Sequence, residues 1–347
     1  MADEYVGRGT CRKVLAMAHG ITSTDTPIYA RKPAWHGLGT VLEEAPSIDA
    51  ALQIAGLDWS VDQWPISATN GEVRRIVESH VLNVRSDNAS SIGVVGSGYR
   101  PVQNRELVDF AKAIAAESDV LKVESAGSLW GGSRVWFLLR GESFTLRSSD
   151  EVRPYLLLAN GHDGSLAFRA IPTSIRVECN NKLSQALRVG EKIGYTFRHT
   201  GSVSDKMEEA RKALKSYTGQ VERFTEACKT LAGKGTNTEE VKAFFTECYQ
   251  DDFGAIPAEV KNDADRRKRD TAKDAFHAYV RRFDREITVA GATRWNMANA
   301  YTGFLQHDRK VRAANESDRR QYRVDYALFG ADAERSTSAF SRALTMA

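Results

Sequence analysis

Apolar residues recur along the chain with two different periods, and the change falls near residue 200. Before it, short alternating runs dominate. Val73–Val84 alternates imperfectly between apolar and polar positions, as a half-buried strand does, and Ser91-Ile-Gly-Val-Val95 follows the turn-forming Ser86-Asp-Asn88. Leu121–Ala126 and Arg134–Arg140 are joined across Gly131-Gly132, and Val152–Asn160 and Ser165–Ile171 flank Gly161-His-Asp-Gly164. Both pairs read as hairpins. Ser174–Cys179 is a further strand, after which Asn180–Arg188 is expected to start a short helix. Two helices interrupt the strands. Ser47–Gly56 has a capping Ser47, a shared face of Ile48, Ala51, Leu52 and Ala55, and a stop at Gly56. The second runs from Asn104, read as its cap, to Ile114.

After Thr200 the period becomes helical over Ser202–Leu231, Thr238–Tyr249, Asn262–Ile287, Thr293–Arg312 and Ser336–Met346. Gly233-Lys-Gly235 and Gly254-Ala-Ile-Pro257 break the run. The expected class is α+β: a mostly antiparallel sheet with helices on one face, followed by a C-terminal all-helical region. The expected division is a flexible N-terminal arm over 1–34, a strand-rich α+β domain over 35–200 and a helical domain over 201–347.

Composition adds little to this. With 347 residues, 42% hydrophobic and 27% charged, the chain is long enough for about two domains and is not a disordered one. A net charge of +3 names no partner, but the charge is unevenly spread. Residues 169–198 carry six basic side chains against two acidic, and residues 261–285 carry nine against five. Four cysteines without a CxxC pair argue against a disulfide framework or a structural zinc site. The apolar stretch Val14–Ala18 is too short for a signal-peptide core, and no uncharged apolar run reaches membrane-spanning length. A cytoplasmic protein is expected.

Catalytic motifs are missing. Ala232-Gly-Lys-Gly-Thr236 lacks the spacing of a phosphate-binding loop, and Gly93-Val-Val-Gly-Ser-Gly98 is a turn or bulge. His162 beside Asp163 sits among hairpin-turn residues, and there is no nucleophile elbow or zinc spacing of histidines. An enzyme without a motif would have to draw on carboxylates such as Asp150, Asp163 and Glu178. The expectation is a protein that is not an enzyme and needs no cofactor or metal.

Nucleic-acid binding has more support. It wants cations for phosphates, flat groups for bases and amides for base edges. Arg169, Arg176, Asn180, Asn181, Lys182 and Arg188 crowd one segment, and a strand-to-helix turn there would offer free backbone N–H groups to an anion. Tyr99-Arg100 makes a second aromatic and basic pair. The same arginines would equally make surface ion pairs with Glu178 and its neighbours. Arg266-Arg-Lys-Arg269 with Arg281-Arg282 and Arg285 reads as a solvated helix face or a nucleic-acid backbone contact. Trp35, in the arm before His36, is the best candidate for an anchor onto a partner.

Trp35-His-Gly-Leu-Gly39, Tyr99-Arg-Pro-Val-Gln-Asn104, Arg176-Val-Glu-Cys-Asn-Asn-Lys-Leu183, Thr293–Thr302 and Leu328-Phe-Gly330 occur in one order. That ordered set resembles the phage/plasmid-like DUF932 family, whose junction carries a threonine where this chain has Lys182. The resemblance implies a protein of bacteriophages and other mobile elements, acting in the cytoplasm of a bacterial host. A sheet followed by a basic junction is similar in outline to single-strand annealing recombinases. The reading is a single-stranded DNA- or RNA-binding protein, an annealing or recombination factor in the form of a homo-oligomer. Its site would be Tyr99, Arg100, Arg169, Arg176, Asn180, Asn181, Lys182 and Arg188. The alternative is a protein-interaction module that antagonises a host defence or replication factor.

Overall fold

The computed structural model describes residues 27–30, 40–116, 120–146, 150–176, 181–184, 195–196, 203–312, 322, 326 and 330–346. Trp35, His36, Glu178, Cys179, Asn180 and Arg188 lie outside them. The fold is α+β, with a mostly antiparallel sheet and a C-terminal helical region.

The strands in chain order are β1 (Ile28–Ala30), β2 (Thr40–Leu42), β3 (Val61–Asn70), β4 (Val73–Arg85), β5 (Ser91–Gly96), β6 (Lys122–Leu129), β7 (Arg134–Arg140), β8 (Phe144–Leu146), β9 (Asp150–Gly161), β10 (Arg169–Arg176), β11 (Asn181–Ser184) and β12 (Tyr195–Thr196). The large sheet runs β11-β10-β9-β7-β6-β1-β2, with β8 also on β9 and β12 on β10. Every pairing in it is antiparallel except β1 with β2. The smaller sheet is β3-β4-β5.

Both expected hairpins form, β6 with β7 and β9 with β10, although the two strands expected over Ser165–Ile171 and Ser174–Cys179 are, within the described residues, one strand over Arg169–Arg176. Gly131 (φ 66°) and Gly132 (φ 102°) make the first turn, and a side chain at Gly132 would collide with Trp59. β3 is invisible to a reading by alternation, because Pro65 interrupts it. Proline is tolerated there at a register shift on the sheet's edge strand. Part of the expected flexible arm is also strand: β1 enters the sheet, with Ile28 and Ala30 buried.

Helices α1 (Ile48–Ile54) and α2 (Asn104–Ala116) cover one face of the sheet. Ser47 Oγ accepts from Ala50 N at 3.2 Å to start α1, as its sequence signature predicts. At α2 the cap is Gln103 rather than Asn104. Gln103 C=O accepts from Glu106 and Leu107 N–H, and the Glu106 carboxylate accepts from Gln103 N–H at 3.2 Å. Asn104 is buried for another purpose, described below.

The helical region comprises α3 (Val203–Gly233), α4 (Thr238–Phe253), α5 (Asp263–Ala290), α6 (Arg294–Gly303), a π-helical turn (Phe304–Asp308) and α7 (Ala331–Thr345). Asn237 and Asn262 cap α4 and α5 through their side chains, and Gly254 (φ 90°) and Gly291 (φ 79°) end them. The 31 residues of α3 span about 46 Å. Its first half packs Ala213 and Tyr217 on the sheet core, and its second half packs Phe224, Cys228 and Leu231 into the helical core. One helix therefore belongs to both cores. α6 is buried on all sides, so it shows no amphipathic stripe. It stops at Gly303, shorter than the helix expected from Thr293 to Arg312.

Candidate nucleic-acid interface

The basic junction expected between a strand and a helix is a hairpin strand instead. Asn181–Ser184 pairs with β10 in antiparallel register, Arg176 opposite Asn181 and Ile175 opposite Lys182. The backbone there joins a ladder, so the free N–H groups of a helix start, the basis for an anion site, do not exist at this point. β11 also lies against α6 and α7. Asn-Asn before a run with helical spacing predicts a helix, and the ladder offered by β10 overrides that local preference.

Of the other residues of the expected site, Tyr99, Arg100, Arg169 and Arg176 fall among the described residues. Arg169 and Arg176 are seven residues apart on one strand, about 23 Å. Arg169 is half-buried between β9 and β12, opposite Ala159 and Thr196, and its Nε is buried without a hydrogen-bond partner among the described residues. Tyr99 is half-buried, its hydroxyl donating to Gly161 C=O at 2.8 Å. Burial and the nearby Asp163 carboxylate raise its pKa. Through its hydroxyl it ties its loop to Gly161. Arg100 is exposed and reaches only the carbonyls of Ser97 and Tyr99, at 3.5 and 3.4 Å.

Gly161 belongs to a polar knot that fastens the small sheet to the large one. His162 is fully buried, and its Nε2–H donates to Asn104 Oδ1 at 2.9 Å. Asn104 Nδ2 donates to the carbonyls of Leu57 and Trp59, which fixes its oxygen toward the imidazole. Asn160 Nδ2 donates to Val102 C=O, and Asn83 Nδ2 donates to His162 C=O at 2.6 Å. Burial pushes the His162 pKa down to about 4, against the opposing pull of Asp163. The imidazole is thus neutral at pH 7 and structural in its contacts. Beside it, buried Arg85 stacks on Trp59 at 4.4 Å and holds Asp87 with two hydrogen bonds of 2.9 and 2.7 Å. Those bonds keep the Asp87 carboxyl below its usual range.

Of the carboxylates singled out from the sequence, Asp150 and Asp163 are engaged as well, and Glu178 lies outside the described residues. Asp150 is buried and accepts from Trp295 Nε1 at 2.7 Å, tying the sheet to α6. Asp163 accepts from Ser165 N–H and Oγ–H, at 2.9 and 2.6 Å, in a turn. Among the described residues, no group of His, Cys, Asp and Glu is placed to hold a metal ion.

The helical region presents a different surface. Four of its described arginines away from α5 are in ion pairs: Arg309 and Arg335 with Asp332, Arg342 with Glu247 and Asp251, and Arg294 with Glu240. On α5 the pattern reverses. Arg267, Lys268, Arg269, Lys273 and Arg281 are exposed, and none has an acidic partner among the described residues. Arg266, Arg269 and Lys273 recur at helical spacing on one flank. With Lys242 of α4 they rim a depression of about 480 Å³ floored by Phe245, Ile256 and Phe276.

Arg267 and Lys268 edge a second depression of about 360 Å³ over Tyr249, Phe253 and Ile256. That one adjoins a third, of about 480 Å³, between α4, α5 and the π turn; both are lined by Tyr249, Phe253 and Thr271. The third is rimmed by His277, Arg281, Arg309 and Lys310. Phe253 remains 37% exposed there, with the Arg335 guanidinium over its ring at 4.7 Å. The sequence marks the basic run of α5. It does not show that α4 sets aromatic rings beside that run, because Phe245, Tyr249 and Phe253 lie 13–24 residues from Arg266–Arg269 along the chain.

Among the described residues no helix is long and apolar enough to cross a membrane. A family model described as a domain of unknown function, DUF932, matches residues 91–328. No curated protein and no solved structure matches the chain.

Proposed function

The chain belongs to the DUF932 family, whose description carries no function, and from that premise we propose that it binds single-stranded nucleic acid along α5. The observation that carries this reading is the set of exposed cations on α5 without described acidic partners, next to depressions floored by aromatic rings. Cations without partners lose no ion pair when they meet phosphates, and flat rings accept bases of any sequence. A role in strand annealing or recombination, in the cytoplasm of a phage-infected host and as a homo-oligomer, would rest on this strand binding and needs no covalent step.

The test is binding of the purified protein to a labelled single-stranded oligonucleotide and to the matching duplex across a salt series. Arg267→Glu with Lys268→Glu is expected to weaken single-strand binding about 100-fold and to flatten the salt slope. Arg100→Glu, at the position expected from the sequence, is expected to leave both unchanged. Equal affinity in all three proteins, or no binding at low salt, would overturn the proposal.

A protein-interaction role is the second reading, favoured by the small sheet. Trp64, Leu82 and Val94 stand side by side across β3, β4 and β5, with Trp64 47% and Val94 57% exposed. Apolar side chains grouped in this way mark contact surfaces. A stoichiometric protein partner that survives nuclease treatment of a host lysate, and is lost in Trp64→Asp, would favour this reading.

A further inference from the structure

We infer that the cavity between α4, α5 and the π turn accepts one nucleoside monophosphate unit whose base carries an exocyclic amino group. The inference rests on the strand-binding reading for its biological setting and on the cavity for its chemistry. Its volume of about 480 Å³ falls within the roughly 300–1,000 Å³ of small-molecule sites. Tyr249, Phe253 and Phe304 give it an aromatic floor. Phe253 already carries the Arg335 guanidinium on its ring and is still 37% exposed, so a base stacked there would extend a cation–ring arrangement that exists without ligand.

Two groups on α5 set the orientation. Asp274 and Arg281 are seven residues apart on the same flank of the helix, about 10.5 Å along its axis. Asp274 touches only the exposed Lys310 among described side chains, at 3.4 Å, which leaves carboxylate capacity to accept from an amino group on a base. Arg281 has no acidic partner among the described residues and is left to meet the phosphate. The second carboxylate of the wall, Asp308, is held by Arg282 and so is not the primary acceptor. Adenine, cytosine and guanine carry an exocyclic amino group; thymine does not. The cavity should therefore prefer dAMP to dTMP, and oligo(dA) to oligo(dT).

Calorimetric titration of the full chain with dAMP and with dTMP, alongside binding of dA and dT 12-mers over a salt series, tests this. The expected result is dAMP binding at least about tenfold tighter than dTMP, the same order for the 12-mers, and loss of the preference in Asp274→Asn. Phe253→Ala should abolish dAMP binding while leaving the salt slope for the 12-mers intact. Phe253→Leu keeps the apolar volume without the π-face and should also lose dAMP, so a folding defect is told apart from lost stacking. If dAMP binds but neither 12-mer does, the cavity takes a free nucleotide and the strand-binding proposal falls. If both 12-mers bind alike and Phe253→Ala changes nothing, strand binding stands and the cavity inference is overturned. If no nucleotide and no strand binds, both are overturned.

Discussion

The junction of the two sheets and the flank of α5 use similar polar residues to opposite ends. At the junction, Arg85, Asn83, Asn104, Asn160 and His162 are buried and nearly every polar atom meets a partner. Along α5, Arg267, Lys268, Arg269, Lys273 and Arg281 face solvent without described acidic partners. A buried polar group has to be satisfied inside the protein, because losing water without a replacement is costly. An exposed cation carries no such obligation, and its charge stays open to a ligand. A polar group already satisfied inside the fold has less to offer a ligand than one that is not.

The comparison can be broken at the junction first. Asn104→Ala would strand the carbonyls of Leu57 and Trp59 and the His162 Nε2–H, and should cost roughly 3 kcal/mol or more, read by urea unfolding. A cost below about 1 kcal/mol would mean the knot contributes little.

The junction should also answer to pH. His162 has a folded pKa of about 4, below its ordinary value, so the unfolded chain takes up a proton first as pH falls. Its contribution to stability is complete above about pH 6.5 and declines from there toward pH 4. That decline should amount to on the order of 3 kcal/mol and should vanish in a variant lacking the imidazole, such as His162→Gln.

On α5 the expectation inverts. Arg267→Glu with Lys268→Glu, which the binding proposal expects to lose about two orders of magnitude in single-strand affinity, should shift folding stability by no more than about 0.5 kcal/mol. A large loss of stability would show that these cations hold the fold together after all. At the junction, a smaller effect than that of Asn104→Ala is expected at Tyr99→Phe, which removes one hydrogen bond to Gly161 C=O. It should cost about 1 kcal/mol by thermal or urea unfolding and leave oligonucleotide affinity unchanged.

Much of the fold was legible along the chain. The two glycine-turned hairpins, the Ser47 cap and the switch to helical period all depend on residues close in sequence. The chain's local pattern misleads where a distant partner decides. β3 hides behind Pro65, and β1 is too short to signal itself until the sheet receives it. Asn181–Ser184 reads as helix until β10 supplies a ladder.

The candidate site divides the same way. The sequence by itself determined that α5 is a helix with a dense basic run, since spacing and charge are local properties. It also determined that no familiar catalytic motif is present. Only the tertiary structure decided that Tyr99 closes a loop, that Arg169 is half-buried between strands, and that His162 is walled in by three asparagines. It alone placed Phe253 and Tyr249 beside the cations of α5. Whether a charge or a ring is available depends on what packs against it, and packing joins residues that the chain keeps far apart.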